Sequence, residues 1–340
     1  MLNYPFPMSD GNGRLVILGG GFAGTSALNV VGRAILVDKN EYMTFTNKLV
    51  DVVEGKDPNV AVVKHRSVLV GEVKSIDLRS KVVKLKDREL KYDKLIIALG
   101  YEQDLAKIPG ASKYAQRFLT LEDALSLRVK LPKVRKVIIV GGGALGVELA
   151  GVLTANQVTL LESRERILSF LSPTTSRFAE DTLLKRGVNV LKGVQVHEVK
   201  ENSVETTEGE FQADLVVFSA GFVGPKILEE SGLSTKGGRM LVDRYLRSID
   251  DPDVFGAGDC ANVKDGFIPM SAQVASQAGE VASLNALGQE RPFTPVQRAI
   301  VLRIGNTYFG ESGGRLITGP LARLIKDGAT VLSMAKALRT

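Results

Sequence analysis

One short pattern occurs twice in this chain and limits what the chain can fold into. Arg14–Gly24 and Lys136–Gly146 each join a β-branched run to three consecutive glycines, at a constant offset of 122 residues (141 − 19). Each copy continues into small residues and then into a second apolar run that ends in an acid, Asp38 or Glu162. The order strand, glycine turn, helix, strand is typical of parallel α/β units. We therefore expect two nucleotide-binding units in succession.

The rest of the chain repeats the layout of these units. Alternating apolar and polar residues predict antiparallel meanders after the first acid and again after the second. The predicted strand regions are 14–18, 34–38, 67–86, 92–100, 136–140, 158–162, 194–207, 213–221, 251–259 and a strand or hairpin at 299–309, followed by a glycine turn at 313–314. The predicted helices are 25–31, 147–154, 272–287 and a segment after Pro320.

Length and composition fit two domains. The chain has 340 residues, 44% of them hydrophobic, which is enough for two cores. The predicted fold class is α/β, with two Rossmann-like dinucleotide-binding domains and a short C-terminal segment. We place the first, discontinuous domain at 1–112 and 237–288, the second at 113–236, and the C-terminal segment at 289–340.

Charge and cysteine content exclude several classes of function. A net charge of +6 is spread along the chain, so we expect no nucleic-acid partner, and we predict no metal site. The single cysteine, Cys260, cannot form an internal disulfide, which fits a reducing compartment. Residues 1–13 lack the features of a secretion signal, and no apolar run is long enough to span a membrane. These patterns predict a cytoplasmic protein.

The first glycine run has the G-x-G-x-x-G spacing of a dinucleotide-binding loop, at Gly19, Gly21 and Gly24. Glycines at these positions allow a tight turn, bring backbone N–H groups against a pyrophosphate, and pack the next helix close to the strand. Asp38 stands 19 residues after Gly19 (38 − 19), where a carboxylate accepts both ribose hydroxyls. Strand, loop, helix and acid together predict a bound dinucleotide.

The second glycine run has the same context and spacing. Its glycines are Gly141, Gly143 and Gly146. Glu162 is placed to bind the free 2′-hydroxyl of NAD and to repel the 2′-phosphate of NADP, so we predict NADH. NADPH stays the alternative, because Arg164 and Arg166 are cations that suit a 2′-phosphate. Glu148, in the following helix, has two interpretations: a charge partner of the helix N-terminus, or a polar group near the nicotinamide.

These motifs together resemble the two-dinucleotide-binding-domain flavoprotein superfamily, with its glutathione-reductase-like fold, across nearly the whole chain. The resemblance implies that the first loop and domain bind FAD and that the second loop and domain bind NAD(P)H. The strand-end signature of the superfamily, usually Ala-Thr-Gly, is similar to 98–100 and 220–221 here. The pair Gly258 and Asp259 resembles the site whose aspartate binds the flavin ribitol.

The resemblance also implies which residues contact each cofactor. For FAD they are Gly19, Gly21, Phe22, Ala23, Gly24, Asp38, Lys39, Val73, Ala98, Gly100, Gly258, Asp259 and Val274. For NADH they are Gly141, Gly143, Leu145, Gly146, Glu162, Ala220 and Gly221. The two cofactors are expected to meet ring to ring, so that NADH reduces the flavin directly.

The segment after the first acid separates this chain from the disulfide reductases. Those enzymes place cysteines there, because a thiolate must stack against the flavin, whereas this chain has none. The segment is similar instead to the His-x-Phe-x-Pro-Leu-Leu run of type II NADH dehydrogenases, with Phe45 and Gly55 kept and with Tyr42 and Asn47 as departures. We therefore expect electrons to leave from the flavin itself and Cys260 to be structural. Sulfide:quinone oxidoreductases, which need paired cysteines, are excluded.

A second likeness to type II NADH dehydrogenases is the A-Q-x-A-x-Q at 272–277. The start of this helix is expected to present N–H groups to the flavin. Gln273 and Gln277 share one helix face and could reach a quinone carbonyl. The alternative is a helix N-terminus that contacts the flavin and otherwise only packs. Gln273, Gln277 and Glu148 are the predicted catalytic residues.

The tail after Pro320 has a helix-like pattern. Leu321, Leu324, Ile325, Leu332 and Ala335 fall on one side, and Arg323, Lys326, Lys336 and Arg339 fall elsewhere. Type II dehydrogenases use C-terminal amphipathic helices to lie on the membrane, and a basic amphipathic segment suits an anionic surface. Domain packing or a homodimer contact is the alternative, because Gly328 weakens the helix.

The leading hypothesis is an FAD-dependent NADH dehydrogenase that passes electrons to a quinone on the inner face of the cell membrane. Two alternatives stay open. One is a soluble NAD(P)H-dependent flavoprotein reductase of a protein electron carrier or a small oxidant, and the other is an NADH-binding redox sensor. In all three, NAD(P)H reduces the flavin.

Overall fold

In the computed structural model, which describes residues 14–339, the two glycine runs leave from two separate five-stranded sheets. The first sheet is, in spatial order, β22 (Val254–Gly256), β9 (Lys94–Ile97), β1 (Leu15–Leu18), β2 (Ile35–Asp38) and β5 (Leu69–Val70). The second is β11 (Ala115–Arg117), β18 (Leu215–Phe218), β12 (Lys136–Val140), β13 (Gln157–Glu162) and β14 (Asn189–Lys192). All neighbouring strands run parallel. The predicted pair of Rossmann-like sheets is confirmed.

A helix follows each glycine loop directly. These helices are α1 (Phe22–Val31) after β1 and α5 (Ala144–Ala150) after β12. Both begin three residues earlier than predicted (25 − 22 and 147 − 144), because the small residues after the glycines are already helical. The second strand of each unit ends in the predicted acid, at the same sheet edge as the glycine loop.

A three-stranded antiparallel sheet extends each unit. These sheets are β6 (Val73–Asp77), β7 (Val82–Leu85) and β8 (Glu89–Lys91) in the first unit, and β15 (Val196–Val199), β16 (Ser203–Thr206) and β17 (Gly209–Gln212) in the second. The predicted meanders each missed this third strand. The first also began too early, because Leu69 and Val70 pair in parallel with β2.

Shorter elements complete the two units. The strands are β3 (Tyr42–Thr44) with β4 (Val62–Lys64), β10 (Glu102–Gln103) with β19 (Phe222–Val223), and β20 (Thr235–Lys236) with β21 (Arg239–Val242) and β23 (Ala261–Val263). The helices are α2 (Leu49–Val53), α3 (Ala111–Tyr114), α4 (Leu121–Lys130), α6 (Pro173–Lys185), α7 (Ile227–Glu230) and α8 (Ala272–Ala286). The antiparallel β10–β19 pair joins the two passages of the chain between the units.

The apolar cores around the two sheets cross the predicted domain limits, since Leu49 and Ala61 of the predicted first domain pack in the core around β12. Leu228 and Leu233 fall in the predicted second domain, yet they pack in the core that surrounds β1 and β9. We therefore propose that the second domain ends near β19. The first thirteen residues of the predicted FAD-binding domain lie outside the described residues.

The C-terminal segment folds into a sheet and a helix that lie on both units. It consists of β24 (Ala299–Ile304), β25 (Thr307–Ser312), β26 (Arg315–Thr318) and α9 (Gly319–Ala337), so the predicted strand or hairpin is a three-stranded sheet. Leu302 and Phe309 join the core of the second unit, whereas Ala337 packs against Met43 and Phe45 of the first. Gly328 does not interrupt α9. Between residues 14 and 339, no helix has the length and apolar character needed to cross a bilayer.

Candidate active site

The first glycine loop is held in a shape that only glycines permit. Gly19 has a φ of +98°, and a Cβ there would lie 2.2 Å from the carbonyl oxygen of Ala98. A Cβ at Gly24 would lie 1.8 Å from the carbonyl oxygen of Gly19. A Cβ at Gly21 would meet nothing within 4 Å among the described residues, so this side of the loop has room for a ligand. The loop therefore fits the close approach of a pyrophosphate.

The second loop repeats this geometry. Gly141 has a φ of +112°, and a Cβ at Gly146 would lie 2.0 Å from the carbonyl oxygen of Gly141. A Cβ at Gly143 would again meet nothing within 4 Å in the described part of the chain. Ser219 adds a contact that the first loop lacks, because its hydroxyl donates to the Gly141 carbonyl at 3.1 Å. Two independent pyrophosphate cradles thus occur in one chain.

The helices behind the loops begin without a side-chain cap, as α2, α3, α7 and α9 also do, whereas three other helices are capped. α1 and α5 start after Gly21 and Gly143, which have no side chain to offer. The N-termini of α4, α6 and α8 are capped by the side chains of Thr120, Ser172 and Ser271. Uncapped N–H groups at a helix start attract anions, so both loops are suited to phosphate oxygens.

Asp38 is positioned at the first loop by two backbone N–H groups. Its Oδ2 accepts a hydrogen bond from Gly20 at 2.6 Å, and its Oδ1 accepts one from Asn40 at 2.8 Å. Each carboxylate oxygen keeps a further lone pair for a ribose hydroxyl. The neighbouring Lys39 is exposed, and Val73 begins β6.

Glu162 is held in the same way at the second loop. Its Oε2 accepts from Gly142 and its Oε1 from the backbone N–H of Arg164, both at 2.8 Å. The Arg164 guanidinium donates to the Ser169 hydroxyl at 2.6 Å, and the guanidinium of Arg166 donates to backbone carbonyls. The carboxylate is therefore fixed against the loop, and the guanidinium groups of the two arginines bind Ser169 and backbone carbonyls of the segment that follows.

Asp259 supplies a buried acceptor at the same edge of the first sheet. Its Oδ1 is buried and has no hydrogen-bond partner within the described residues. Burial raises the pKa of Asp259 to about 6, although Arg239 opposes this shift. Gly258 beside it has a φ of +76° and lies against Ala23 of α1. An orphaned carboxylate oxygen beside the glycine loop fits the hydroxyls of a flavin ribitol.

The other predicted cofactor contacts follow the same sheet edges. Phe22 and Ala23 begin α1, Ala98 and Gly100 follow β9, Val274 lies in the first turn of α8, Leu145 lies in the first turn of α5, and Ala220 and Gly221 follow β18. The backbone N–H of Val274 donates to the hydroxyl of Ser271. Their roles toward FAD and NADH remain predictions.

The two glutamines of α8 hold the start of the C-terminal segment. The Gln277 amide donates to the carbonyl of Val296 at 2.7 Å and accepts from its N–H at 3.0 Å. The Oε1 of Gln273 accepts from the N–H of Arg298 at 2.9 Å. Within residues 14–339 the exposed Nε2 of Gln273 makes no hydrogen bond. Of these two glutamines, Gln273 is thus the one whose amide N–H groups are available to an incoming molecule.

Glu148 contacts the C-terminal segment and does not lie at its helix start. It is buried in α5, and its carboxylate binds the ammonium of Lys326 and accepts from the backbone N–H of Arg303 at 2.8 Å. The first turn of α5 has no acidic residue, so the interpretation of Glu148 as a charge partner of the helix N-terminus is wrong. A role near the nicotinamide remains a prediction.

Buried cations that were not predicted from the sequence join the C-terminal segment to the units. The Arg303 guanidinium donates to Asp51 at 2.7 Å and to Glu54 at 2.5 Å, both near α2. Lys326 was expected on the polar side of α9 but is buried. A signal was present, because Lys326 lies four residues from both Ala322 and Thr330, which share its buried face.

The single cysteine is buried in the core of the first unit. Cys260 is fully buried, and its thiol donates toward the carbonyls of Ile97 and Ala257. Burial raises the pKa of Cys260 to about 11, so the thiol is protonated at neutral pH. This environment agrees with the structural role expected from the sequence.

Two glycine loops on two parallel sheets, each with an acid hydrogen-bonded to its middle glycine, define a protein that binds two dinucleotides. The sequence model of the family of pyridine nucleotide-disulphide oxidoreductases matches residues 13–279, so the chain belongs to this family. It is an NAD(P)H oxidoreductase with FAD and NADH as cofactors, which confirms the predicted superfamily and cofactors. The disulphide of the family's name has no counterpart here, because the chain has one cysteine.

The chain is also similar to individual proteins whose names and fold fit this family. The chain is 25% identical to the NADH dehydrogenase-like protein YutJ of Bacillus subtilis, over 93% of this chain and 97% of that protein. It is 27% identical to a type II NADH:quinone oxidoreductase of Staphylococcus saprophyticus, over 94% of both. The solved structure of NDH2 from Plasmodium falciparum with NADH matches with a TM-score of 0.86, at 18% identity over 96% of both chains, and shows the same fold.

Proposed function

We propose that this protein is an NADH:quinone oxidoreductase that works at a membrane surface. The flavin, when bound, accepts a hydride from NADH and returns two electrons to an acceptor. The chain's own groups hold and orient the two nucleotides. In this proposal the first loop with Asp38 and Asp259 holds FAD, and the second loop with Glu162 holds NADH.

The observation that carries the proposal is an exposed apolar stripe along α9. Four large apolar side chains on this helix, and Leu338 directly after it, are between 52% and 71% exposed; the four are Leu321, Leu324, Val331 and Leu332. Their spacing places them on one face. The opposite face is used within the molecule, where Ala322, Lys326 and Ala337 are buried.

The chemistry around the stripe favours a bilayer. Arg323 and Lys336 lie on the same helix and are more than half exposed, as expected for a helix on an anionic surface. A quinone with an isoprenoid tail is dissolved in the bilayer, so an enzyme that lies there reaches its acceptor directly. One of the similar proteins is named as a type II NADH:quinone oxidoreductase, which supports the same acceptor.

The absence of a second cysteine supports direct transfer from the flavin. With a single buried cysteine, no dithiol can relay electrons. We assign the Nε2 of Gln273 as the donor to a quinone carbonyl, and we assign Gln277 to holding Val296. In this proposal Gln273 binds the quinone, and Gln277 positions the start of the C-terminal segment.

The test is substitution within the stripe, because removal of α9 would also remove the buried Lys326. Leu324→Glu with Leu332→Glu should abolish binding to anionic liposomes and lower quinone reduction in them at least about tenfold. NADH oxidation with a water-soluble dye should not change. The matched control is Leu125→Glu with Val129→Glu, two exposed apolar residues of α4.

Other outcomes select the alternatives. Dye reduction without reduction of any quinone would contradict the proposal and favour a soluble reductase. A reduced flavin that stays reduced for minutes with every quinone, followed by stopped-flow absorbance, would favour the redox sensor.

A further inference from the structure

His65 is buried behind the first glycine loop, and the proposed function gives it no role. His65 follows β4, and its backbone N–H donates to the carbonyl of Glu41 at 3.0 Å. The residue is 5% exposed. Its ring touches the middle of the glycine loop: a Cβ at Gly20 would lie 2.5 Å from Nε2 and 2.9 Å from Cε1.

The ring faces the acid that we assign to the FAD ribose. Oδ2 of Asp38 would lie 3.2 Å from the same Cβ position of Gly20, so both polar groups converge on one side of this glycine. Gly20 is therefore a glycine because Asp38 and His65 occupy the space that a side chain would need.

Both ring nitrogens of His65 lack a hydrogen-bond partner among the described residues. Burial lowers the pKa of His65, against the opposing effect of Asp38, so the ring is neutral at neutral pH. A neutral imidazole has one donor and one acceptor, and leaving both unused in the interior is costly. A side chain kept for packing alone has no need of these nitrogens.

The second loop solves the same packing problem with an apolar side chain. A Cβ at Gly142 would meet Cγ2 of Ile167 at 2.8 Å and Oε2 of Glu162 at 2.9 Å. Ile167 thus takes the place behind the second loop that His65 takes behind the first. The comparison shows that an isoleucine is sufficient to support a glycine loop and its acid.

We propose that His65 is a positioning residue for FAD, which acts through Asp38. The inference rests on the assignment of the first loop and Asp38 to FAD in the proposed function. Its ring donates to the Asp38 carboxylate when that carboxylate binds the ribose of the adenosine half. The second loop, which must release its nucleotide in every turnover, has no such group.

The experiment measures the dissociation constant of FAD by ultrafiltration of the diluted full-length holoprotein. His65→Ile, which copies the second loop, should weaken FAD binding about tenfold, the effect of one hydrogen bond. His65→Gln, whose amide reaches the position of Nε2, should bind FAD within about threefold of the unchanged protein. The melting temperature of the FAD-free His65→Ile protein should be equal or higher, because an unpartnered imidazole has been removed. His197→Gln changes the other histidine, which is exposed, and serves as the matched control.

Each other result has a defined meaning. An unchanged dissociation constant in His65→Ile would overturn the proposal. Equal weakening in the Ile and Gln variants, with a lower melting temperature of the FAD-free protein, would show a packing role and overturn it as well. Asp38→Asn separates the two levels of inference. If it leaves FAD binding unchanged, the assignment of the ribose site fails together with the proposal. If it weakens FAD binding while His65→Ile does not, only the role of His65 fails.

Discussion

The two glycine loops differ less in themselves than in what lies behind them. Both have a left-handed first glycine, an uncapped helix, and an acid that accepts a hydrogen bond from the middle glycine at 2.6 or 2.8 Å. Behind the first loop lies a polar ring, and α1 packs on α8 so closely that a Cβ at Gly279 would lie 2.0 Å from the Ala23 carbonyl. Behind the second loop lies Ile167, and α5 packs on the C-terminal sheet. The loop geometry is therefore repeated, while the side chains packed behind each loop differ.

The largest effect should come from blocking one loop at a time. Gly24→Val and Gly146→Val each place a side chain against the first glycine of their loop. Gly24→Val should yield protein without bound FAD, measured by its absorption spectrum. Gly146→Val should stay yellow but react with NADH at least about a hundredfold more slowly, or about 2.7 kcal/mol.

A matched control exists outside both loops. Gly328→Ala changes a glycine whose surroundings are open, and it should alter neither FAD content nor the rate with NADH. If Gly146→Val lost FAD while Gly24→Val lost only the reaction with NADH, the assignment of the loops would be reversed.

The second effect concerns nucleotide choice. Glu162→Gln keeps an acceptor for the loop N–H groups but removes the charge, so kcat/KM for NADH should fall about tenfold. The value for NADPH should hold or rise, because repulsion of the 2′-phosphate is lost. FAD content should not change. Equal kcat/KM ratios before and after the substitution would show that Glu162 does not contact the ribose.

A third prediction concerns Asp259, which belongs to the first site only. The pKa of Asp259 in the folded FAD-free protein is about 6, above the ordinary value of about 4. Between about pH 4 and 6 the folded protein therefore holds a proton on Asp259 that the unfolded chain has released. This group therefore makes the FAD-free protein more stable as the pH falls through that window. Asp259→Asn should remove this slope and raise the free energy of unfolding at pH 7 by about 2 kcal/mol.

The measurement is denaturant unfolding of the FAD-free protein at several pH values, with the exposed Glu208→Gln as control. The gain at pH 7 should shrink when FAD is bound, because the carboxylate then has a partner. A gain of the same size with and without FAD would argue against a contact between Asp259 and the flavin ribitol.

The smallest effect tests a glycine that no loop requires. Gly328→Ala in α9 should raise the free energy of unfolding by up to about 1 kcal/mol, from helix propensity alone. Thermal unfolding measures this. A decrease would show that Gly328 is packed against a partner in solution.

The structure has the predicted features where the contacts are local in the chain, and it adds unpredicted ones where the partners are distant, while the roles of the predicted site residues remain predictions. The glycine loops, their helices and the acids at the strand ends follow from spacing, because each contact joins neighbouring parts of one α/β unit. The partner of Glu148 was missed because Lys326 stands 178 residues further along the chain. His65 gave no signal in sequence, since only the folded loop shows that Gly20 faces its ring. The C-terminal sheet was underestimated for the same reason.

Strand order has a consequence for synthesis. The second sheet is built entirely from residues 115–218, whereas the first sheet receives β22 only at residues 254–256. Domains fold as they leave the ribosome. The later sheet is thus complete first during translation, whereas β9 of the earlier sheet still lacks its outer neighbour β22. The core of the second unit is finished later still, because Leu302 and Phe309 belong to it. A nascent chain stalled before residue 254 should therefore contain every strand of the second sheet while both cores are unfinished.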